Sequence, residues 1–174
     1  MLRLLLLRHS KAVPFVGSSD SARSLTERGK ADAARLGAFI AGKGIALQAA
    51  VHSGARRTKE TLAIVLGKLP PGVQASVEPR LYEATNATFL RALRNLPDTA
   101  KTLLLVGHNP SIGEMACRLA ATGDRSALAK MAAKFPTSAL AVIDFDVDHW
   151  DEVKEGMGRL VHFATPATLG SQDD

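Results

Sequence analysis

Residues Leu2 to Leu7 read Leu-Arg-Leu-Leu-Leu-Leu, and the four consecutive leucines at the end of the run leave no polar face for solvent. A strand with one wet face alternates apolar and polar residues. A continuously apolar strand has to be covered on both faces, as in a parallel sheet sandwiched between helices. Leu103 to Val106, after Lys101-Thr102, has the same character. Two such strands confine the chain to layered α/β architectures.

The segments between and beyond them alternate as such a fold requires. Thr26 to Lys43 is predicted helical, with Ala33, Leu36 and Ile40 on one face. Leu47 to His52 is a short strand, and Lys59 to Leu69 a helix with Leu62, Val65, Leu66 and Leu69 at helical spacing. Val73 to Val77 is a strand between Pro70-Pro71-Gly72 and Pro79, and Phe89 to Leu96 a short helix ended by Pro97. After the Leu103 strand, Asn109 is placed to cap a helix whose first position is Pro110 and whose buried face is Ile112, Met115, Ala116 and Leu119. Ala139 to Phe145 and Arg159 to Phe163 complete the strands, with the Trp150 segment between them. The expectation is an α/β fold, a three-layer α/β/α sandwich with a mainly parallel central sheet. Residues 1–165 are taken as one domain and 166–174 as a C-terminal tail, Ala164 to Asp174 having no assigned structure.

Composition narrows the function classes. Among 174 residues, 46% are hydrophobic and only 5% aromatic, enough for a sizeable core but too few aromatics for a base-stacking surface. Cys117 is the single cysteine, so a disulfide framework and a thiolate metal cluster are excluded, and a reducing, cytoplasmic setting is expected. The N-terminal leucines are interrupted by Arg3 and Arg8 and are too few for a signal peptide or a membrane span. The net charge of +5 is spread along the chain among acids without a basic stripe, which suits a small anionic substrate or acidic protein partner and not nucleic acid or membrane.

The groups able to do chemistry stand where strands end. Arg8-His9-Ser10 follows the first leucine strand, and in an open α/β sheet the carboxyl ends of strands face the ligand crevice. Gly107-His108-Asn109-Pro110 repeats the arrangement after the Leu103 strand. Ser53 to Thr61 follows the Leu47 strand and opens a helix, so Arg56 or Arg57 lies beside unpaired backbone N–H groups that favour an anion. Two histidines and two arginines so placed make a pocket for one tetrahedral anion. Other templates fail: Gly123 stands where a cysteine phosphatase would carry its arginine after Cys117, Asn109 where a nucleophile elbow needs glycine before Ser111, and neither a triphosphate-binding loop nor a metal-ligand spacing among the histidines occurs.

Arg8-His9-Ser10, Leu25-Thr26-Glu27-Arg28-Gly29, Ser53-x-x-x-Arg57-Thr58-x-Glu60-Thr61, Leu81-Tyr82-Glu83-Ala84 and Gly107-His108-Asn109-Pro110, in that order, resemble the histidine phosphatase superfamily, and within it the short SixA-type phosphohistidine phosphatases. The resemblance covers Leu2 to about Thr165 and implies a phosphoglycerate mutase-like fold. Ser10 departs from the family's Arg-His-Gly, which bears on the loop more than on His9. The Ser-x-x-x-Arg spacing selects Arg57 over Arg56.

The resemblance implies that neutral His9 attacks phosphorus and is transiently phosphorylated, that Arg8, Arg57 and His108 hold the phosphoryl oxygens, and that Glu83 is the proton donor to the leaving group. A surface carboxylate paired with Arg80 is the alternative for Glu83. Arg23 is set aside as a solvated loop residue, and Thr137 and Ser138 are noted as hydroxyls near the crevice. No metal or cofactor is called for. The absence of a long insertion between Glu83 and His108 implies an open site, suited to a phosphorylated histidine-containing phosphotransfer domain of a signalling protein. A broad-specificity phosphomonoesterase acting on small phosphate esters, or a non-catalytic phospho-binding module, remains as the alternative.

Overall fold

The computed structural model describes every residue except Val16 and Ser18. Seven strands, β1 (Leu2–Arg8), β2 (Ala49–His52), β3 (Gln74–Val77), β4 (Thr102–Gly107), β5 (Ala120–Gly123), β6 (Leu140–Phe145) and β7 (Gly158–Ala164), form one sheet in the order β3-β2-β4-β1-β6-β7-β5. The helices are α1 (Glu27–Gly42), α2 (Arg56–Leu66), α3 (Asn86–Arg94), α4 (Ser111–Leu119) and α5 (Arg125–Ala133).

The unbroken leucine run is explained by what covers it. Leu2, Leu4 and Leu6 pack with Leu103 and Leu105 against Phe89 and Leu93 of α3, Ile112 and Met115 of α4, and Met131 of α5. Leu5 and Leu7 pack with Leu104 and Val106 against Ala33, Leu36 and Ile40 of α1 and Leu62 and Val65 of α2. Successive residues of a strand point to opposite faces, so both faces of β1 and β4 have to be apolar.

The sheet is mainly parallel, with β6 the exception. It runs antiparallel to both β1 and β7, while β1–β4, β2–β4, β2–β3 and β5–β7 are parallel. A half-buried ion pair marks its register: Asp144 of β6 faces Arg3 of β1 and accepts from its Nε at 2.7 Å and Nη2 at 2.9 Å. Neither β5 nor α5 is expected from the sequence. β5 is a short, largely exposed edge strand with little apolar signal. The helix α5 is signalled by alanines and by Asp124, whose side chain accepts from the Ala127 N–H as an N-cap.

Two further expectations are corrected. Asn109 does not cap α4: Pro110 is the cap residue, and Asn109 Nδ2 donates to the Phe135 carbonyl at 2.9 Å. The C-terminal residues are not a loose end. A 3-10 turn at Ala167–Leu169 is followed by Asp173, which accepts from the Ala167 N–H, and by Asp174, which accepts from the Thr137 N–H at 3.1 Å and hydroxyl at 2.7 Å.

Candidate active site

The parallel register of β1 and β4 sets the two sequence-predicted histidines side by side. Arg8 pairs with Gly107, so His9 and His108 leave the sheet together, the His9 N–H donating to the Gly107 carbonyl at 3.1 Å. Their rings lie 5.3 Å apart between centroids. Next in the sheet, β2 ends at His52 opposite Val106, and the chain turns through Ser53 and Gly54 into α2, bringing Arg57 over both rings.

Hydrogen bonding assigns both ring tautomers. Nδ1 of His9 lies 2.8 Å from the Ser10 carbonyl, which can only accept, so Nδ1 carries the proton and Nε2 carries the lone pair. Nε of Arg57 donates to that Nε2 at 3.3 Å. At His108, Nη2 of Arg57 donates to Nδ1 at 3.2 Å, which leaves the proton on Nε2 for Ser53 Oγ at 2.7 Å. The relay continues outward, from the Ser53 hydroxyl to Thr58 Oγ1 at 3.1 Å and from the Thr58 hydroxyl to the Ala55 carbonyl at 2.7 Å. Every proton in this chain has an acceptor, so the orientation of His108 is fully determined.

Electrostatics keep both rings neutral. Burial lowers the His9 pKa to about 3, helped by His108, Arg57 and Arg8 and opposed by the Ser10 hydrogen bond. Burial and Arg57 lower that of His108 to about 4, with Asp20 acting in the opposite direction.

Arg57 is itself buried and anchored from outside. Asp20, which opens a 3-10 turn (Asp20–Ala22), accepts from Nη1 through its carbonyl at 2.9 Å and from Nη2 through Oδ2 at 3.1 Å. The Tyr82 hydroxyl donates to the same carboxylate, and Arg23 Nη1 donates to its Oδ1 at 3.1 Å. Tyr82 also stands edge-on against His108, with 5.3 Å between centroids. Arg23 is therefore not a free loop residue: it bonds Asp20 and, through Nε, the Val13 carbonyl.

The remaining candidates fall around this centre. Arg8 turns Nη1 to the Phe135 carbonyl at 3.1 Å, and its buried Nε has no partner among the described residues. Burial lowers its pKa, yet a guanidinium remains charged. Glu83 is exposed, adopts a positive φ of 53°, and lines a cavity of about 330 Å³ with Asp20, Arg57, Tyr82 and His108. Its alternative partner is taken, because Arg80 forms a two-point ion pair with Glu78. Arg56 faces solvent and pairs with Glu60, whose carboxylate also accepts from the Leu25 N–H.

The motif residues that do not face the cavity hold its walls. The Ser10 N–H donates to Thr61 Oγ1 at 2.9 Å, and the Ser10 hydroxyl, fully buried, accepts from Ser138 Oγ at 2.6 Å. The departure from glycine at this position is thus paired with a hydroxyl across the site. Gly29 has no room for a side chain, since a Cβ would lie 2.1 Å from the Lys11 carbonyl. That carbonyl accepts from the Thr26 N–H at 2.9 Å, tying the segment after His9 to the start of α1. The roles of Asp20, Tyr82 and Ser53 are not expected from the sequence: Ser53 and Tyr82 stand in the quoted motifs with no role assigned, Asp20 in none, and each acts through contacts between distant segments.

Comparison with known proteins agrees with this arrangement. The family description of the histidine phosphatase superfamily (branch 1) matches residues 4–90. An uncharacterized protein of Mycobacterium tuberculosis strain H37Rv is 34% identical over 162 residues, covering 92% of this chain and 99% of that protein. A candidate phosphohistidine phosphatase SixA from Nakamurella multipartitia superposes with a TM-score of 0.81 at 27% identity, covering 94% of this chain and 95% of that one. Another from Agrobacterium tumefaciens gives a TM-score of 0.77 at 27% identity, with 95% and 98% covered. The layered sheet is the phosphoglycerate mutase-like fold, as the resemblance implied.

Proposed function

This chain belongs to the histidine phosphatase superfamily, and from that premise we propose that it is a phosphohistidine phosphatase in which His9 is the nucleophile. The observation that carries the reading is the His9 ring: neutral, with its proton held on Nδ1 by the Ser10 carbonyl and its lone pair on Nε2 toward Arg57, beside the His108 ring. An unprotonated Nε2 is what in-line attack on phosphorus needs. A pure binding module has no use for it.

In the proposed reaction, Nε2 of His9 forms a bond to phosphorus as the bond to the substrate's imidazole nitrogen breaks. Arg57, Arg8 and His108 offset the charge on the equatorial oxygens. The departing imidazole takes a proton from solvent or from Glu83 on the cavity rim. Water then attacks the phosphohistidine, releasing orthophosphate and restoring neutral His9. Guanidinium groups supply the charge compensation, so turnover is expected to survive chelators.

Support for a protein substrate comes from the open rim and from the SixA likeness. Only α3 and β4 separate Glu83 from His108, leaving no long segment to cover the cavity. A phosphorylated histidine on a phosphotransfer domain is exposed and fits such a site. We take residues 1–165 as the catalytic domain and, with a single cysteine, the cytoplasm as its setting; no described helix is long and apolar enough to cross a membrane.

The test is phosphate release from a histidine-phosphorylated phosphotransfer domain in the presence of chelator, for the wild type and for His9→Ala. Release that resists chelator and disappears in His9→Ala is the expected result. Cleavage of an aryl phosphate with the domain left untouched would replace this reading with a broad phosphomonoesterase.

A further inference from the structure

Asp20 has no part in the reaction just described, yet it makes the most extensive contact with the side chain meant to bind the phosphoryl group. Arg57 has five N–H donors. Nε is directed at His9, one Nη1–H at the Asp20 carbonyl, and the two Nη2–H groups at Asp20 Oδ2 and His108 Nδ1. A phosphoryl oxygen entering between His9, Arg57 and His108 meets the Nε–H and Nη2–H now given to the two histidines, while Asp20 holds the adjoining Nη1/Nη2 edge. The Asp20 carboxylate, bonded by Arg57, Arg23 and the Tyr82 hydroxyl, is held as an oxyanion in a setting that would equally suit phosphate. Those donors keep its pKa far below the usual carboxylate range, the Tyr82 hydrogen bond contributing most.

Resting on the phosphoryl-site reading above, we propose that Asp20 is an affinity-setting residue: its carboxylate, bonded to the edge of Arg57 next to the one that faces the two histidines and lining the same cavity, opposes a phosphate dianion there. A phosphate dianion then shares Arg57 with an existing ion pair, which weakens ground-state binding of substrate and product alike. Weak ground-state binding favours turnover, because interactions equally strong in ground and transition states do not raise kcat. Release of orthophosphate is the step that benefits most directly.

The rival role for Asp20 is to position Arg57 for phosphate, and the two roles predict opposite signs. Orthophosphate would be titrated into the wild type, Asp20→Asn and Asp20→Ala at fixed pH and ionic strength. Calorimetry and the Arg57 Nε–H resonance would report binding, and a thermal melt of each variant would report folding. Competition predicts that the variants bind orthophosphate about tenfold more tightly, as loss of an opposing charge beside the site implies. Unchanged or weaker binding in the variants, with the wild type still binding, overturns the proposal and leaves the phosphatase reading standing. Absence of binding in all three overturns both. Asp20→Asn, nearly isosteric, keeps the test decisive if Asp20→Ala does not fold.

Discussion

Nε of Arg57 points at Nε2 of His9 across 3.3 Å, so in the resting molecule the guanidinium covers the lone pair of the proposed nucleophile. The guanidinium plane reaches both histidines at once, through Nε to His9 and through Nη2 to His108. Lysine, a point charge on a flexible stem, cannot reproduce that span.

Arg57→Lys is therefore expected to lower kcat/KM about 10²- to 10³-fold while keeping the net charge, a loss typical of removing oriented donors from a developing oxyanion. Steady-state kinetics on the phosphorylated domain check it. Activity within a few-fold of wild type would remove Arg57 from the phosphoryl site.

Ser53→Ala tests the support behind His108. Without the hydroxyl, the Nε2–H of a buried ring loses its acceptor, at a cost of about 1–3 kcal/mol. Two outcomes follow, a lower Tm and a shift of the His108 proton toward Nδ1 visible in ring ¹⁵N resonances. A ring that keeps its tautomer would show that Arg57 alone orients it.

Stability should fall with pH below neutrality. Burial holds the folded-state pKa values of His9 and His108 down to about 3 and 4, both far below the ordinary histidine value of 6.5. Above that value neither the folded nor the unfolded chain protonates them. As the pH drops below about 6.5 the unfolded chain takes up protons the folded one refuses, removing up to about 1.4 kcal/mol per pH unit for each histidine. The loss continues until the folded-state values are reached. Denaturant melts between pH 7 and 4 should show this slope, and a His9→Asn variant should show a shallower one.

Glu83→Gln separates leaving groups. Glu83 is exposed on the cavity rim and a protonated imidazole is already a good leaving group, so turnover of phosphohistidine should change less than about threefold. An alkyl phosphate, whose alkoxide needs a proton, should suffer at least tenfold if Glu83 supplies it. Equal effects on both substrates would exclude Glu83 as the acid.

Much of this was written locally. The unalternating leucines of β1 and β4 determine a sheet covered on both faces, and His9 and His108, each just beyond such a strand, have to appear at the carboxyl edge where crevices form. Arg57 falls in the first turn of a helix that opens shortly after a strand end, so it is placed by local geometry as well. Where local signal is weak, the reading fails: β5 is a small, exposed edge strand, and Asn109 has the composition of a cap but gives its amide to Phe135.

Only the tertiary structure decided which proton sits on which ring nitrogen, and what holds Arg57 in place. Those depend on the Ser10 carbonyl, on Ser53 beneath His108, and on Asp20 and Tyr82, which stand 62 residues apart and meet only because the fold brings their segments to one edge of the sheet. The periodicity of a sequence encodes which face of an element is buried. The direction of a hydrogen bond between remote side chains has no such period, and it follows from the packed coordinates alone.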